Sequence, residues 1–244
     1  MTERFFITNQ IEEDQRDILV SDVLQIHQIA RVLRKKQGDI IFILDNSSYE
    51  YKCEIKQLTK KLLLLKILDR SINKNEPTLK VAIYQSLIKK NKMEFVFEKC
   101  TEIGVSEFHP ILSENSVKLS LNLDRANIIL KEATEQSQRG MIPTLSDIKK
   151  FKSIAKQLSE DSLNIIFHEK EKGENLINFL IDNKEKIENN KEINLFIGPE
   201  GGFSEDEIIF AESLGFKVLS LGKRVLRAET AAIVATSLVL SFDK

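Results

Sequence analysis

From residue 79 onward the chain alternates short, nearly continuous apolar runs with amphipathic stretches, and no other property narrows its fold so far. Runs at 79–87, 108–112, 163–167, 193–197 and 217–221 have the length of strands and are apolar on both faces. Helical periodicity fills the intervals, at 92–103, 124–139, 147–158, 174–187, 204–214 and 229–241. Buried strands alternating with amphipathic helices predict an α/β architecture, a parallel sheet covered on both faces. The first 70 residues follow another rhythm. There, β-prone runs at 4–8, 39–44, 49–55 and 61–68 are separated by polar or glycine-containing breaks, and Asp45-Asn46-Ser47-Ser48 has the composition of a turn. One short helix is expected over 21–36, with Ser21 or Asp22 as its N-cap. This is the pattern of a small β-barrel or sandwich. The polar stretch 71–77, closing on Pro77, is the expected linker, and the domains are read as 1–72 and 73–244.

Composition serves mainly to exclude. Thirty-six Lys+Arg against 37 Asp+Glu leave a formal charge of −1 over 244 residues, which rules out a polybasic coat but not a local basic site. The densest apolar runs, 62–65 and 231–235, fall far short of the ~18 residues of a membrane span, and the N-terminus has no apolar signal region. A cytoplasmic protein without membrane partners is expected. Cys53 and Cys100 are too few and too far apart for a disulfide framework or a metal pair, and read as core residues of a reducing compartment. No metal site is expected; His109 and His168, each at a strand, read as structural.

Glycine placement carries the chemistry. Five of the nine glycines (Gly198, Gly201, Gly202, Gly215, Gly222) fall within 25 residues, and two clusters follow apolar strands directly, as INLFI-GPEGG and KVLSL-GKRVLR. In an open parallel sheet, ligands bind beyond the carboxyl ends of the strands, where glycine lets backbone approach them closely. Tight strand-to-helix turns are the plainer alternative. GPEGG is neither a dinucleotide fingerprint nor a P-loop, and Glu200 would repel a polyphosphate. A cationic or hydroxyl-rich ligand suits it better, and S-adenosylmethionine is one such. Lys223, Arg224 and Arg227 crowd the loop before a helix so rich in small apolar residues that it must pack closely, internally or against a second subunit. Glu132, Gln136 and Arg139 form a polar stripe on one helical face, which ends at Gly140 and Pro143. Lys89–Lys92 and 31–36 are basic runs, solvated surface or phosphate contacts.

Taken together, HQIARVLRKKQGD, SLIKKNKMEFVFEKCTEIGVSEFHPILSENS, EATEQSQRGMIP, LFIGPEGGFSEDEI and LSLGKRVLRAETA resemble one family, the bacterial small-subunit rRNA uridine-N3 methyltransferases of the RsmE type. The stretches occur in family order across nearly the whole chain. The resemblance implies a PUA-like β-barrel for RNA binding at 1–72. It implies a SPOUT methyltransferase domain at 73–244, with a trefoil knot near 193–244. It implies S-adenosylmethionine as cofactor and S-adenosylhomocysteine as product, a homodimer through the SPOUT domain, and 16S rRNA in the assembled 30S subunit as partner. Carried onto this chain, the cofactor residues are Gly198, Pro199, Glu200, Gly201, Gly202, Leu221, Gly222, Val225, Leu226, Arg227 and Thr230. Arg139 is expected on the substrate side, Glu132 and Glu229 are candidate bases, and Arg4, Arg31, Arg34, Lys89 and Lys92 are expected to meet RNA. The family commonly has Arg where this chain has Asn115; either Lys118 compensates or the contact is dispensable. Two other readings stay open: a nucleotide-dependent enzyme of another class, and a non-catalytic 30S or rRNA-binding assembly factor that retains the SPOUT fold.

Overall fold

The N-terminal runs pair into a five-stranded sheet comprising β1 (Arg4–Phe6), β2 (Asp17–Val20), β3 (Ile40–Leu44), β4 (Tyr49–Leu58) and β5 (Leu63–Ile72), in the order β1-β3-β4-β5-β2. β1 runs parallel to β3, and the other pairs are antiparallel. The computed structural model describes residues 3–117, 120–159, 161–169, 174–189 and 192–243. Strand β2 is absent from the sequence reading; its four residues alternate outward and inward, too short a pattern to stand out. The inward side chains of all five strands meet in one core, with Phe5, Ile18, Ile41, Tyr51, Ile55 and Leu65 buried together. Helix α1 (Val23–His27) is capped by Asp22, whose carboxylate accepts from Leu24 N and Gln25 N. It widens into a π-helical turn at Gln28–Val32 and stops at Arg34, which has φ +55°.

Beyond Pro77 the elements are β6 (Lys80–Ser86), α2 (Lys90–Ile103), β7 (Glu107–Leu112), α3 (Leu123–Ser137), β8 (Thr144–Leu145), β9 (Lys149–Lys150) and α4 (Phe151–Ala155). They continue with β10 (Leu163–Phe167), α5 (Leu176–Asp182), α6 (Lys184–Asn189), β11 (Glu192–Ile197), α7 (Glu205–Ser213), β12 (Lys217–Leu219) and α8 (Ala228–Leu240). The strands form one sheet in the order β12-β10-β11-β6-β7-β8, with β9 also on β7, and every described pair is parallel. The α/β expectation therefore holds, and each of the five apolar runs is a strand. Two helices are shorter than the periodicity suggests. Residues 147–158 begin with β9, leaving helix only at Phe151–Ala155, and the stretch 174–187 breaks at Asn183 into α5 and α6.

The chain separates into two compact units. One runs through Glu76 and takes in Thr134–Ile142; the other comprises Pro77–Ala133 and the chain from Pro143 onward. The division falls at Glu76/Pro77, because Asn73 belongs with the first unit: its backbone N donates to Ser48 O and its amide to Glu50. In the second unit α8 buries Ala228, Ala232, Ala235, Thr236 and Val239, and packs against α2, β6, β11 and α5. Internal packing thus accounts for one face of this small-residue helix. Cys100 is buried under Thr236 and Cys53 lies in the first unit's core; burial pushes both thiols up to about 12. Among the described residues no helix is long and apolar enough to cross a membrane, and no group of three or more His, Cys, Asp or Glu side chains is arranged to hold a metal.

Candidate active site

Strands β12, β10 and β11 are neighbours, so the loops leaving their carboxyl ends emerge side by side. Together they enclose a cavity of about 630 Å³, within the usual range for a small-molecule site. After β11 comes Gly198-Pro199-Glu200-Gly201-Gly202, folded into a turn in which Gly202 N donates to Pro199 O at 2.9 Å. Glycine is favoured at two of these positions. A Cβ on Gly198 would lie 3.1 Å from the backbone of Gly202 and Phe203, and Gly202 has φ +69°. After β12, residues 220–228 form the opposite wall, and after β10 the chain contributes His168 and Glu169.

The ends of this cavity are held from outside the glycine loops. Asn115, beyond β7, donates from Nδ2 to Gly201 O at 3.3 Å and Gly202 O at 3.1 Å, and itself lines the cavity. The position where the family commonly has Arg is here a clamp on the glycine loop; Lys118 lies outside the described residues. The GPEGG loop runs into α7 through a capping box. Ser204 Oγ accepts from Glu207 N, and Glu207 Oε2 accepts from Ser204 N. The other Glu207 oxygen accepts from Glu114 N at 2.9 Å, tying the segment after β7 to the same helix. Burial pushes the Glu207 carboxyl above the usual carboxylate range, against these backbone donors. Lys92, at the start of α2, reaches between two walls: its Nζ lies 3.6 Å from Glu200 and 3.4 Å from Glu229 of α8.

Of the residues expected to hold a cofactor, Gly198, Pro199, Glu200, Gly201, Gly202, Leu221, Gly222, Val225, Leu226 and Arg227 all line this one cavity. Thr230 does not; it is exposed in the first turn of α8, three residues beyond Arg227. Glu229 lies behind Lys92, with one carboxylate oxygen buried.

Other expectations need correction. Glu132 is exposed on α3 and does not line the cavity, so nothing places it as a base. Arg139 belongs to the first unit and is 3% exposed, its guanidinium paired with Glu76 at 2.8 Å. The same Glu76 accepts from Gly140 N and Met141 N. The stripe drawn through Glu132, Gln136 and Arg139 fails because α3 ends at Ser137. Gln138, at φ +63°, reverses the chain, with Arg139 N donating back to Thr134 O and Gln138 N to Glu135 O. Arg4, expected to meet RNA, is half-buried and engaged within the first unit: it pairs with Glu50 at 3.1 Å, donates to Gln138 at 2.8 Å and lies over Phe42. Arg31, Arg34 and Lys89 are exposed, whereas Lys92 belongs to the cavity.

The sequence reading did not assign Phe167, His168 and Glu169 to the site; all three line the cavity, including the His168 read as structural. The signal was available, since the same rule that marked the ends of β11 and β12 applies to the end of β10. Asn115, Ser220 and Ala231 carry no local signature of a site.

Residues 74–240 match the family described as RNA methyltransferase domain, and 25–68 match the RNA methyltransferase PUA domain. The ribosomal RNA small subunit methyltransferase E of Mesomycoplasma hyopneumoniae is 33% identical, over 94% of this chain and 95% of that protein. The protein of the same name from Neisseria gonorrhoeae, solved bound to S-adenosylmethionine, superposes with a TM-score of 0.86 at 26% identity. It is covered over 95% of its length and this chain over 97%. A Legionella pneumophila methyltransferase in complex with the same cofactor gives 0.85 at 28% identity, over 99% of this chain and 98% of that one.

Proposed function

The chain belongs to the RNA methyltransferase family, and on that premise we propose that it methylates small-subunit rRNA with S-adenosylmethionine held in the cavity between its two glycine loops. The observation that carries the proposal is the convergence of both loops on one cavity, the first loop folded so tightly that a Cβ on Gly198 would press on the backbone of Gly202 and Phe203. The residues present fit the cofactor. Backbone groups of Gly198–Gly202 and 221–226 would hold an adenosine. Carboxylates at Glu169 and Glu200 suit an amino group, hydroxyls and a sulfonium, and would oppose a polyphosphate. When bound, the sulfonium supplies an electrophilic methyl carbon. The chain's own contribution is to fix acceptor and donor in line, an effect of proximity and orientation.

In its finer parts, the reading takes N3 of one uridine of 16S rRNA as the acceptor, within the assembled 30S subunit and in the cytoplasm. That nitrogen lies on the pairing edge, so the base must be unpaired or extruded before it reacts. The exposed Arg31, Arg34 and Lys89 are suited to RNA phosphates, with a salt-dependent affinity. The reading also takes the segment near 193–244 as knotted and the chain as a homodimer through its C-terminal domain. In support, Ile233, Val234 and Leu238 on α8 remain only half-buried.

Cofactor binding is testable without RNA. By titration calorimetry, S-adenosylhomocysteine is expected to bind the wild type without competition from NAD. Gly201→Val, whose Cβ has only ordinary contact with Asn115, keeps the fold but loses binding at least tenfold. Unchanged affinity in this variant, or competition by NAD, contradicts the assignment.

A further inference from the structure

Lysines 89, 90 and 92 crowd the first turn of α2, where the partial positive charge of the helix disfavours cations. No acidic residue occupies that turn, and Lys89, the N-cap, offers no side-chain hydrogen bond to the exposed amides. Within the helix Lys90 is offset by Glu94 at 3.8 Å, but the described ion-pair partners of Lys92 lie on other elements, which points to a use there. For Lys92 that use lies in the cavity. Its side chain is 23% exposed, and its ammonium faces Glu200 from the loop after β11 and Glu229 from α8, while Lys89 and Lys90 share its helix. At 3.4 and 3.6 Å both carboxylates are ion-pair partners, yet no described hydrogen bond uses the three Nζ donors. Glu229 Oε2 is buried and accepts no hydrogen bond, so Lys92 is its described partner. A buried carboxylate kept in that state holds the ammonium in place from behind.

We propose that Lys92 is a catalytic residue of the methyl transfer and that Glu229 is its positioning residue. The ammonium donates to a carbonyl oxygen flanking N3 of the target uracil and stabilises the negative charge that spreads onto this oxygen. This rests on the uridine reading above. In the reaction, the N3–H bond breaks and its proton passes to hydroxide from solvent, giving water. The nitrogen lone pair forms the N3–CH₃ bond, and the CH₃–S bond breaks with its electron pair remaining on sulfur. A fixed cation aimed at the oxygen acts through electrostatic preorganisation. The alternative partner for Lys92 is the cofactor's carboxylate. That would gather three anions around one cation, whereas a uracil carbonyl becomes anionic only as the reaction proceeds.

The test uses the full-length protein with 30S subunits lacking the modification, and follows N3-methyluridine against pH. The wild-type rate rises with pH and levels off once the N3 anion is formed. Lys92→Met lowers the rate at neutral pH by about 100-fold, the usual effect of removing one such donor. It moves the levelling-off at least one pH unit higher and leaves S-adenosylhomocysteine affinity within twofold. Lys92→Arg keeps the wild-type position of the break. Glu229→Gln lowers kcat with KM unchanged and guards against misfolding of the lysine variants. A Lys92→Met enzyme with a wild-type rate and break overturns the proposal. So does a parallel loss of S-adenosylhomocysteine affinity, which would assign Lys92 to the cofactor. If the wild type itself makes no N3-methyluridine, the uridine reading fails, and with it the uracil carbonyl as Lys92's partner.

Discussion

Gly198 shows how much one missing side chain decides. Its position, directly after a buried strand, marks it in the sequence, but the reason glycine is needed there lies in contacts that local pattern does not reveal. The loop turns back so closely that any Cβ meets the backbone of Gly202 and Phe203 at 3.1 Å. Gly198→Ala is therefore expected to displace the loop, lower S-adenosylhomocysteine affinity at least tenfold and cost about 1–3 kcal/mol of stability. Calorimetry and urea unfolding measure both, and an alanine variant that binds like the wild type would show that the loop does not shape the site. Arg139 is the opposite case. Its place in a polar stripe was legible, but the identity of its partner was not, because Glu76 lies 63 residues earlier in the chain. Long-range pairing also ties Arg4 to Glu50 and brings Lys92 to Glu200 and Glu229. Residue type and local spacing carry no record of such contacts.

Elements were more legible than side chains, because period and punctuation are local. Apolar runs became strands, and Gly104 and Gly215 end α2 and α7 in left-handed conformations, with the paired return hydrogen bonds of a Schellman motif. The same motif ends α3 with Gln138 in the glycine's place, so the helix stops two residues before the sequence pattern suggests. Strand β2 and the two-residue strands β8 and β9 fall below the length at which alternation is visible. The capping box at the start of α7 matters beyond its helix, because the loop it terminates is a wall of the cavity. Ser204→Ala is expected to cost about 1 kcal/mol in urea unfolding. By freeing the end of the glycine loop, it should also weaken S-adenosylhomocysteine binding by a small factor. Unaltered stability would mean that Glu207 alone holds the helix start.

For the molecule as a whole, the alternating pattern of the C-terminal region revealed a parallel sheet, and the known rule for such sheets located the site at its carboxyl edge. What the pattern did not reveal is that Thr134–Ile142 returns to the N-terminal unit, since a chain's excursion between units depends on pairings such as Arg139 with Glu76. The family, the cavity and the chemistry of its walls converge on methyl transfer to rRNA. The most direct test is transfer of labelled methyl from S-adenosylmethionine to 30S subunits lacking the modification, with naked 16S rRNA in parallel and the product mapped by nucleoside mass spectrometry. N3-methyluridine at a single position, formed on 30S subunits, is the expected result. A folded, cofactor-binding protein that transfers no methyl group to either substrate would contradict it and favour a non-catalytic rRNA-binding factor.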